Sequence, residues 1–380
     1  MEKINQLITF IRDQYKTDQF IPLHEPRFRG NEKKYVIDTI DSTFVSSVGA
    51  YVDQFEQMME TVTGTNKAVA VVNGTSSLQV ALRLAGVKAG EEVITQALTF
   101  IATANAIVYN QATPVFIDVD LDTMGLSPHA VAAFLDQYGE LRTDGCYNKS
   151  TGKRIAACMP MHTFGFPVHL DELLAVCKKW QIPLVEDAAE SLGSYYKGKH
   201  TGSLGLISGF SFNGNKTITS GGGGVIVTNN EALGKHAKYL TTTAKRPHPY
   251  EFFHDEIGYN FRMPNLNAAL GCAQLESLDA FLEDKRALAK SYAQLFQSLG
   301  IKFREELPES TANYWLMCVE LNNKSEREEF LKQTNDSGIM TRPIWNLMYR
   351  LPMYAHCQRD EQINAAFLEE RIVNIPSSVR

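Results

Sequence analysis

Between residues 68 and 228 the chain alternates short apolar runs with stretches of helical periodicity, and that alternation leaves few folds open. Strands are expected over Ala68 to Val72, Glu92 to Thr95, Pro114 to Asp118, Arg154 to Met159, Pro183 to Glu186, Ile207 to Phe212 and Gly223 to Thr228. Strands that alternate with helices pair mostly in parallel, so the expected fold class is α/β with a mostly parallel seven-stranded sheet. In open sheets of this kind, ligands collect at the carboxyl ends of the strands.

Three of those strand ends carry chemistry. The run Ser211-Phe212-Asn213-Gly214-Asn215-Lys216 is followed almost at once by Gly221-Gly222-Gly223-Gly224, so an apolar strand delivers a lysine into a glycine-lined space. The strand through Val185 ends in Glu186-Asp187-Ala188-Ala189. A lysine and an aspartate at neighbouring strand ends point to pyridoxal phosphate, with the lysine forming a Schiff base and the aspartate holding the pyridinium proton. Singly, each has a plainer explanation: a solvated lysine, a turn or capping aspartate, a tight glycine turn.

The third strand end supplies a phosphate site. Ala68 to Val72 breaks at Asn73-Gly74-Thr75-Ser76-Ser77 before a helix bearing Leu78, Val80, Ala81, Leu82 and Leu84. Glycine and hydroxyl residues at a helix start offer donors and the positive end of the helix dipole to a phosphate, although an ordinary N-cap looks the same. No Gly-Lys-Ser/Thr follows, and no Gly-x-Gly-x-x-Gly opens a helix, so nucleotide hydrolase and dinucleotide folds are disfavoured.

Composition narrows the class further. A net charge of -6 with no basic run disfavours nucleic acid as a partner. The six cysteines, at 146, 158, 177, 272, 318 and 357, show no Cys-x-x-Cys spacing, and the histidines form no ligand pattern, so reduced thiols and no metal are expected. The residues Met1 to Leu7 lack the apolar core of a secretion signal, and no run approaches the ~20 apolar residues that span a bilayer, so a cytoplasmic location away from membranes is expected.

At 380 residues the chain has room for two domains of roughly 150 residues each, and 44% hydrophobic content can fill their cores. Ile4, Leu7, Ile8 and Ile11 mark an opening amphipathic helix, and a connector from Pro22 to Pro26 ends it. Asn31 can cap a second helix, and Pro264 starts a long helical region through Leu299. The expected division is a large domain over 1–262 and a small α+β domain over 263–380.

Read together, these segments resemble the DegT/DnrJ/EryC1/StrS sugar aminotransferases, pyridoxal phosphate enzymes of fold type I. The resemblance covers almost the whole chain. It runs through Asp53-Gln54-Phe55-Glu56, Asn73-Gly74-Thr75, Thr99 to Ala106, Pro114 to Asp118, Glu186 to Ala189, the Lys216 segment, and Gly258-Tyr259-Asn260-Phe261-Arg262. Three further stretches resemble the legionaminic-acid-type and protein-glycosylation aminotransferases: Phe44 to Gly49, Asn213 to Lys216, and Thr241 to Lys245 leading to His254-Asp255-Glu256. That subgroup acts on UDP-4-keto-6-deoxy-N-acetylglucosamine.

The resemblance implies a role for each matching residue. Lys216 would carry the cofactor and then move the substrate proton, and Asp187 would hold the ring nitrogen's proton. Phe100 would stack on one ring face and Ala189 on the other, while Gly74, Thr75, Ser76 and Ser211 would hold the phosphate. Asn260 resembles the asparagine that reaches the phosphate from a second subunit, which implies a homodimer with shared sites. Glu190 stands where many members carry glutamine or histidine near the cofactor's phenolic oxygen. Lys245, His248 and Trp345 are candidates for the nucleotide sugar, and the implied donor is L-glutamate.

The implied reaction is amination at C4 of a UDP-linked 4-keto sugar for surface-glycan or nonulosonic-acid synthesis. A 3-keto sugar aminotransferase would share every cofactor motif. A sugar dehydratase of the same fold carries histidine where Lys216 stands, and a non-catalytic relative would have lost Lys216, Asp187 or the phosphate cup.

Overall fold

The computed structural model of the protein describes residues 2–380. Its central sheet runs in the spatial order Thr113–Ile117, Glu92–Gln96, Ile155–Met159, Val185–Asp187, Ile207–Ser211, Gly224–Thr228, Lys67–Val71. The two halves join where Cys158 pairs with Leu184 and Met161 with Asp187, through the Cys158 N–H to the Pro183 carbonyl and the Asp187 N–H to that of Pro160 (both 2.9 Å). Every pairing is parallel except those of Gly224–Thr228, which runs against both neighbours. All seven expected strands are present, and the mostly parallel α/β reading holds.

Glu92–Gln96, Ile155–Met159 and Gly224–Thr228 are buried along their whole length. Helices covering both faces of a parallel sheet leave no polar side, which is why Ile155–Met159 reads as a continuous apolar run, while in Glu92–Gln96 the polar Glu92, Thr95 and Gln96 are buried as well. One cover is the helix Ala50–Thr63, whose buried Phe55 meets Phe212 edge to face at 5.1 Å between centroids. Another is Asn265–Leu275, where a Cβ added to Gly271 would lie 2.7 Å from the Phe55 ring. Glycine there lets helix and ring approach.

The helical region expected from Pro264 breaks at Glu276-Ser277 into Asn265–Leu275 and Leu278–Leu299. Beyond it a second, antiparallel sheet orders Lys302–Phe303, Met317–Glu320, Ile372–Ile375 and Arg342–Pro343. Two small hairpins were not legible, because Gly139–Arg142 with Gly145–Asn148 and Tyr195–Tyr196 with Lys199–His200 are too short for periodicity to register. Among the described residues, no helix is long and apolar enough to cross a membrane.

The opening helix, Glu2–Tyr15, buries Leu7 and Ile11 beside Tyr292, Phe296 and Phe330. Asn265–Leu275 instead buries Ala268 and Cys272 with Phe55 and Phe212. Leu278 and Phe281 still pack with Phe55 and Phe212, and Leu288 is the first residue of Leu278–Leu299 to pack with the opening helix. Beside the expected division at 262/263 we therefore propose a later one, with the small domain comprising the opening helix and the chain from Leu288 onward. Ile11→Ala should then cost about 2–5 kcal/mol, as a buried truncation does. Under this division the loss appears in the unfolding transition followed at the C-terminal sheet; an equal loss followed at the central sheet contradicts it.

Candidate active site

The carboxyl ends of Val185–Asp187 and Ile207–Ser211 lie side by side in parallel register, with Gly209 opposite Asp187. Asp187 is buried: its Oδ2 accepts from the Thr103 hydroxyl (2.7 Å) and its Oδ1 from the Ala189 N–H (3.1 Å). Burial raises its carboxyl above the ordinary value, while these donors and Lys216 work to lower it.

Beyond Ser211 the chain turns, with the Lys216 N–H donating to the Asn213 carbonyl (3.0 Å), and the lysine enters the space beside Asp187. Lys216 Nζ lies 3.5 Å from Glu190 Oε1 and 3.8 Å from the centroid of the Trp315 ring. Burial pushes the Lys216 ammonium below its usual range, opposed by the charges of Glu190 and Asp187. The Glu190 carboxyl is pushed up to about 7, chiefly by burial. Its Oε2 accepts from the Phe164 N–H (2.9 Å), and Phe164 adopts a left-handed backbone at φ 57°, an uncommon conformation for a bulky side chain.

The C-terminal part of the chain roofs the site. The Trp315 indole N–H donates to the Asn215 carbonyl (2.6 Å), and the Asn313 amide donates to the Glu190 and Leu192 carbonyls (both 2.9 Å). The glycine run sets the floor. Gly221 needs a left-handed φ of 78°, and a Cβ on Gly224 would sit 2.3 Å from the Asn73 carbonyl oxygen, so the strand passes close against the Asn73-Gly74 turn.

A cavity of about 850 Å³ results. Gly74, Thr75, Phe100, Asp187, Ala189, Glu190, Ser211, Lys216 and Trp345 all line it, so these expected residues converge. Ser76 does not line it; it is buried in the first turn of Gly74–Leu84, where its N–H is taken by the capping Asn73 side chain (2.8 Å). Asn260 is exposed and accepts from Arg262 Nε (3.2 Å). Lys245 lies over the Phe252 ring at 3.9 Å, and His248 accepts from the Glu251 N–H (2.9 Å), so both are engaged outside the cavity.

Several contributors went unpredicted. Thr103 lies inside a recognised segment but carried no assigned role. Trp315 reaches the site from a segment almost 100 residues beyond Lys216, about which spacing is silent. Lys324, Arg342 and Arg350 line the outer cavity with Trp345, and no motif marked them.

These residues fit pyridoxal phosphate. A buried carboxylate with two fixed donors suits a protonated ring nitrogen, and a lysine held close by suits its carbonyl carbon. The close approach of Gly74 to Ser211, whose Cβ would lie 2.7 Å from a side chain on Gly74, forms a narrow cup at a helix N-terminus for the phosphate. Phe100, 49% exposed at the cavity, and the small Ala189 leave space for a flat ring.

Residues 26–380 match the model of the DegT/DnrJ/EryC1/StrS aminotransferase family. The chain belongs to that family. It is 37% identical over 359 residues to GDP-perosamine synthase of Escherichia coli O157:H7, covering 94% of this chain and 93% of that protein. The GDP-perosamine synthase of Caulobacter vibrioides is 35% identical, with 90% and 88% covered. The structure of DesI in the presence of its TDP-sugar product superposes with a TM-score of 0.82 at 26% identity, covering 95% and 88%.

The fold is that of the type I pyridoxal phosphate enzymes, the cofactor is pyridoxal phosphate, and the activity is sugar amination. When bound, the cofactor supplies a conjugated ring that accepts the electron pair released at the substrate carbon. Asp187 would hold the ring nitrogen's proton, and Lys216, covered by the Trp315 ring at 3.8 Å, would carry the cofactor and move the substrate proton. Thr103→Val should remove one donor to a buried carboxylate, worth about 1.5–3 kcal/mol. The expected result is cofactor affinity weakened about tenfold or more, measured by titrating cofactor-free protein; unchanged affinity contradicts the role given to Thr103.

Proposed function

We propose that the protein transfers an amino group from L-glutamate to the C4 ketone of a nucleoside-diphosphate-linked 4-keto-6-deoxy sugar. The observation that carries this is a two-part cavity, with Lys216, Asp187 and Glu190 at its base and Lys324, Arg342 and Arg350 toward its mouth. The base suits amine chemistry. The mouth offers Lys324 and Arg342 to a diphosphate, with Arg350 paired to Glu369 (2.9 Å) beside them, and the Trp345 ring, 4.9 Å from Phe164 between centroids, as an apolar wall.

Two nucleotides are in contention, each on its own support. Relatives at 37% and 35% identity are GDP-perosamine synthases, which favours a GDP-linked ketone. The stretches Phe44 to Gly49 and Asn213 to Lys216 favour UDP-4-keto-6-deoxy-N-acetylglucosamine.

The proposal includes a homodimer in which Asn260 completes the partner's phosphate site. Phe28, Phe44, Val48, Tyr250, Phe252 and Ile257 are each more than half exposed, large apolar side chains of the kind that subunit interfaces cover.

Glutamate should convert the absorbance band of the loaded enzyme to that of the aminated cofactor, and a matching keto sugar should restore it. Restoration by the GDP- or the UDP-linked 4-keto sugar alone assigns the nucleotide; conversion by glutamate with restoration by neither refutes the acceptor. In a dilution series, activity should fall as the dimer dissociates, and a fully active monomer contradicts the shared site.

A further inference from the structure

Lys216 must repeatedly lose and regain a proton, and the residues around it cover most of its side chain. Its side chain is only 12% exposed, closed over by Trp315. A buried amine that cycles between protonation states needs a fixed acceptor within reach. Asp187 is committed to the Thr103 hydroxyl and the Ala189 N–H. Glu190 is not committed in that way: one carboxylate oxygen is anchored by the Phe164 N–H, and the other is 3.5 Å from Lys216 Nζ.

Among the chain's own groups, the remaining surroundings leave this pair to itself. From the amino-terminal connector, His24 contributes charge toward Lys216 only if protonated, and burial together with Lys285 holds it neutral. From the C-terminal part of the chain come Trp315 and Asn313, both uncharged. From the central sheet comes Asp187 alone, whose negative charge discourages a second one on Glu190. Burial disfavours the charged form of each partner, so the ion pair and the neutral pair approach one another in energy.

We propose that Glu190 is the proton partner of Lys216. The Lys216 ammonium N–H bond breaks, its electron pair stays on Nζ, and an O–H bond forms on Glu190 Oε1; the reverse transfer recharges the amine. No oxidant, reductant or other co-reactant takes part. The left-handed turn at Phe164 then has a purpose, since it aims an N–H that fixes the carboxylate while leaving the other oxygen for the proton. The inference rests on the aminotransferase activity and not on which sugar is aminated.

The test uses Glu190→Gln, which matches the side chain in size and retains an oxygen for the Phe164 N–H. Competitive acetylation of cofactor-free protein across pH, with the Lys216 peptide quantified by mass spectrometry against exposed Lys235, reads the titration of Lys216 directly. Removing a carboxylate at this distance should lower its midpoint by about one to three pH units. In the loaded enzyme, the glutamate half-reaction should slow about tenfold or more and lose its inflection near neutral pH. A Lys216 midpoint unchanged in Glu190→Gln overturns the proposal, as does a half-reaction whose pH profile matches that of the unaltered protein. Neither readout involves the sugar, so a wrong acceptor would leave both intact.

Discussion

Burying three ionisable side chains in one cavity is the constraint that organises this molecule. Lys216, Glu190 and Asp187 sit where charges are costly, and each is held there by contacts from a different part of the chain. Thr103 comes from the helix after Glu92–Gln96, the Phe164 N–H from the turn after Ile155–Met159, and Trp315 from the C-terminal part of the chain. Such a site exists only if the sheet, its helices and the C-terminal segment that carries Trp315 are assembled together. The same burial that costs stability moves the lysine and the glutamate toward a shared proton, which is the property amine transfer needs.

Much of this was legible because strand ends are marked by composition. Asp187 and Lys216 follow apolar runs within one to four residues, and adjacent parallel strands bring such strand ends together. Gly224 was legible as a glycine whose purpose the fold supplies, in the close passage of its strand beside Asn73. Ser76 shows the limit of this reading. A run of hydroxyl residues at a helix start does not reveal which N–H its own cap consumes, and Asn73 consumes that of Ser76.

Other features escaped because they depend on three-dimensional contact between distant segments. Trp315 touches Lys216 from a distant segment, and the opening helix packs through Leu7 and Ile11 against Tyr292, Phe296 and Phe330. Arg342 and Arg350 stand at the cavity mouth, whereas Lys245 and His248, equally polar in sequence, lie on an exposed segment with aromatic neighbours. Charge and residue type alone do not separate these two pairs; the position of each backbone does.

That Lys216 carries the cofactor is the claim on which the rest depends, and a second buried lysine makes it open to direct refutation. Lys285 is fully buried and is pushed down to about 7 by that burial, but its Nζ donates to the carbonyls of Ser377 (2.5 Å) and Trp315 (3.3 Å) away from the cavity. The decisive measurement is borohydride reduction of the loaded protein, followed by digestion and mass spectrometry of the lysine peptides. A pyridoxyl group on Lys216 alone is the predicted result; the group on Lys285, or on no lysine, would contradict the account.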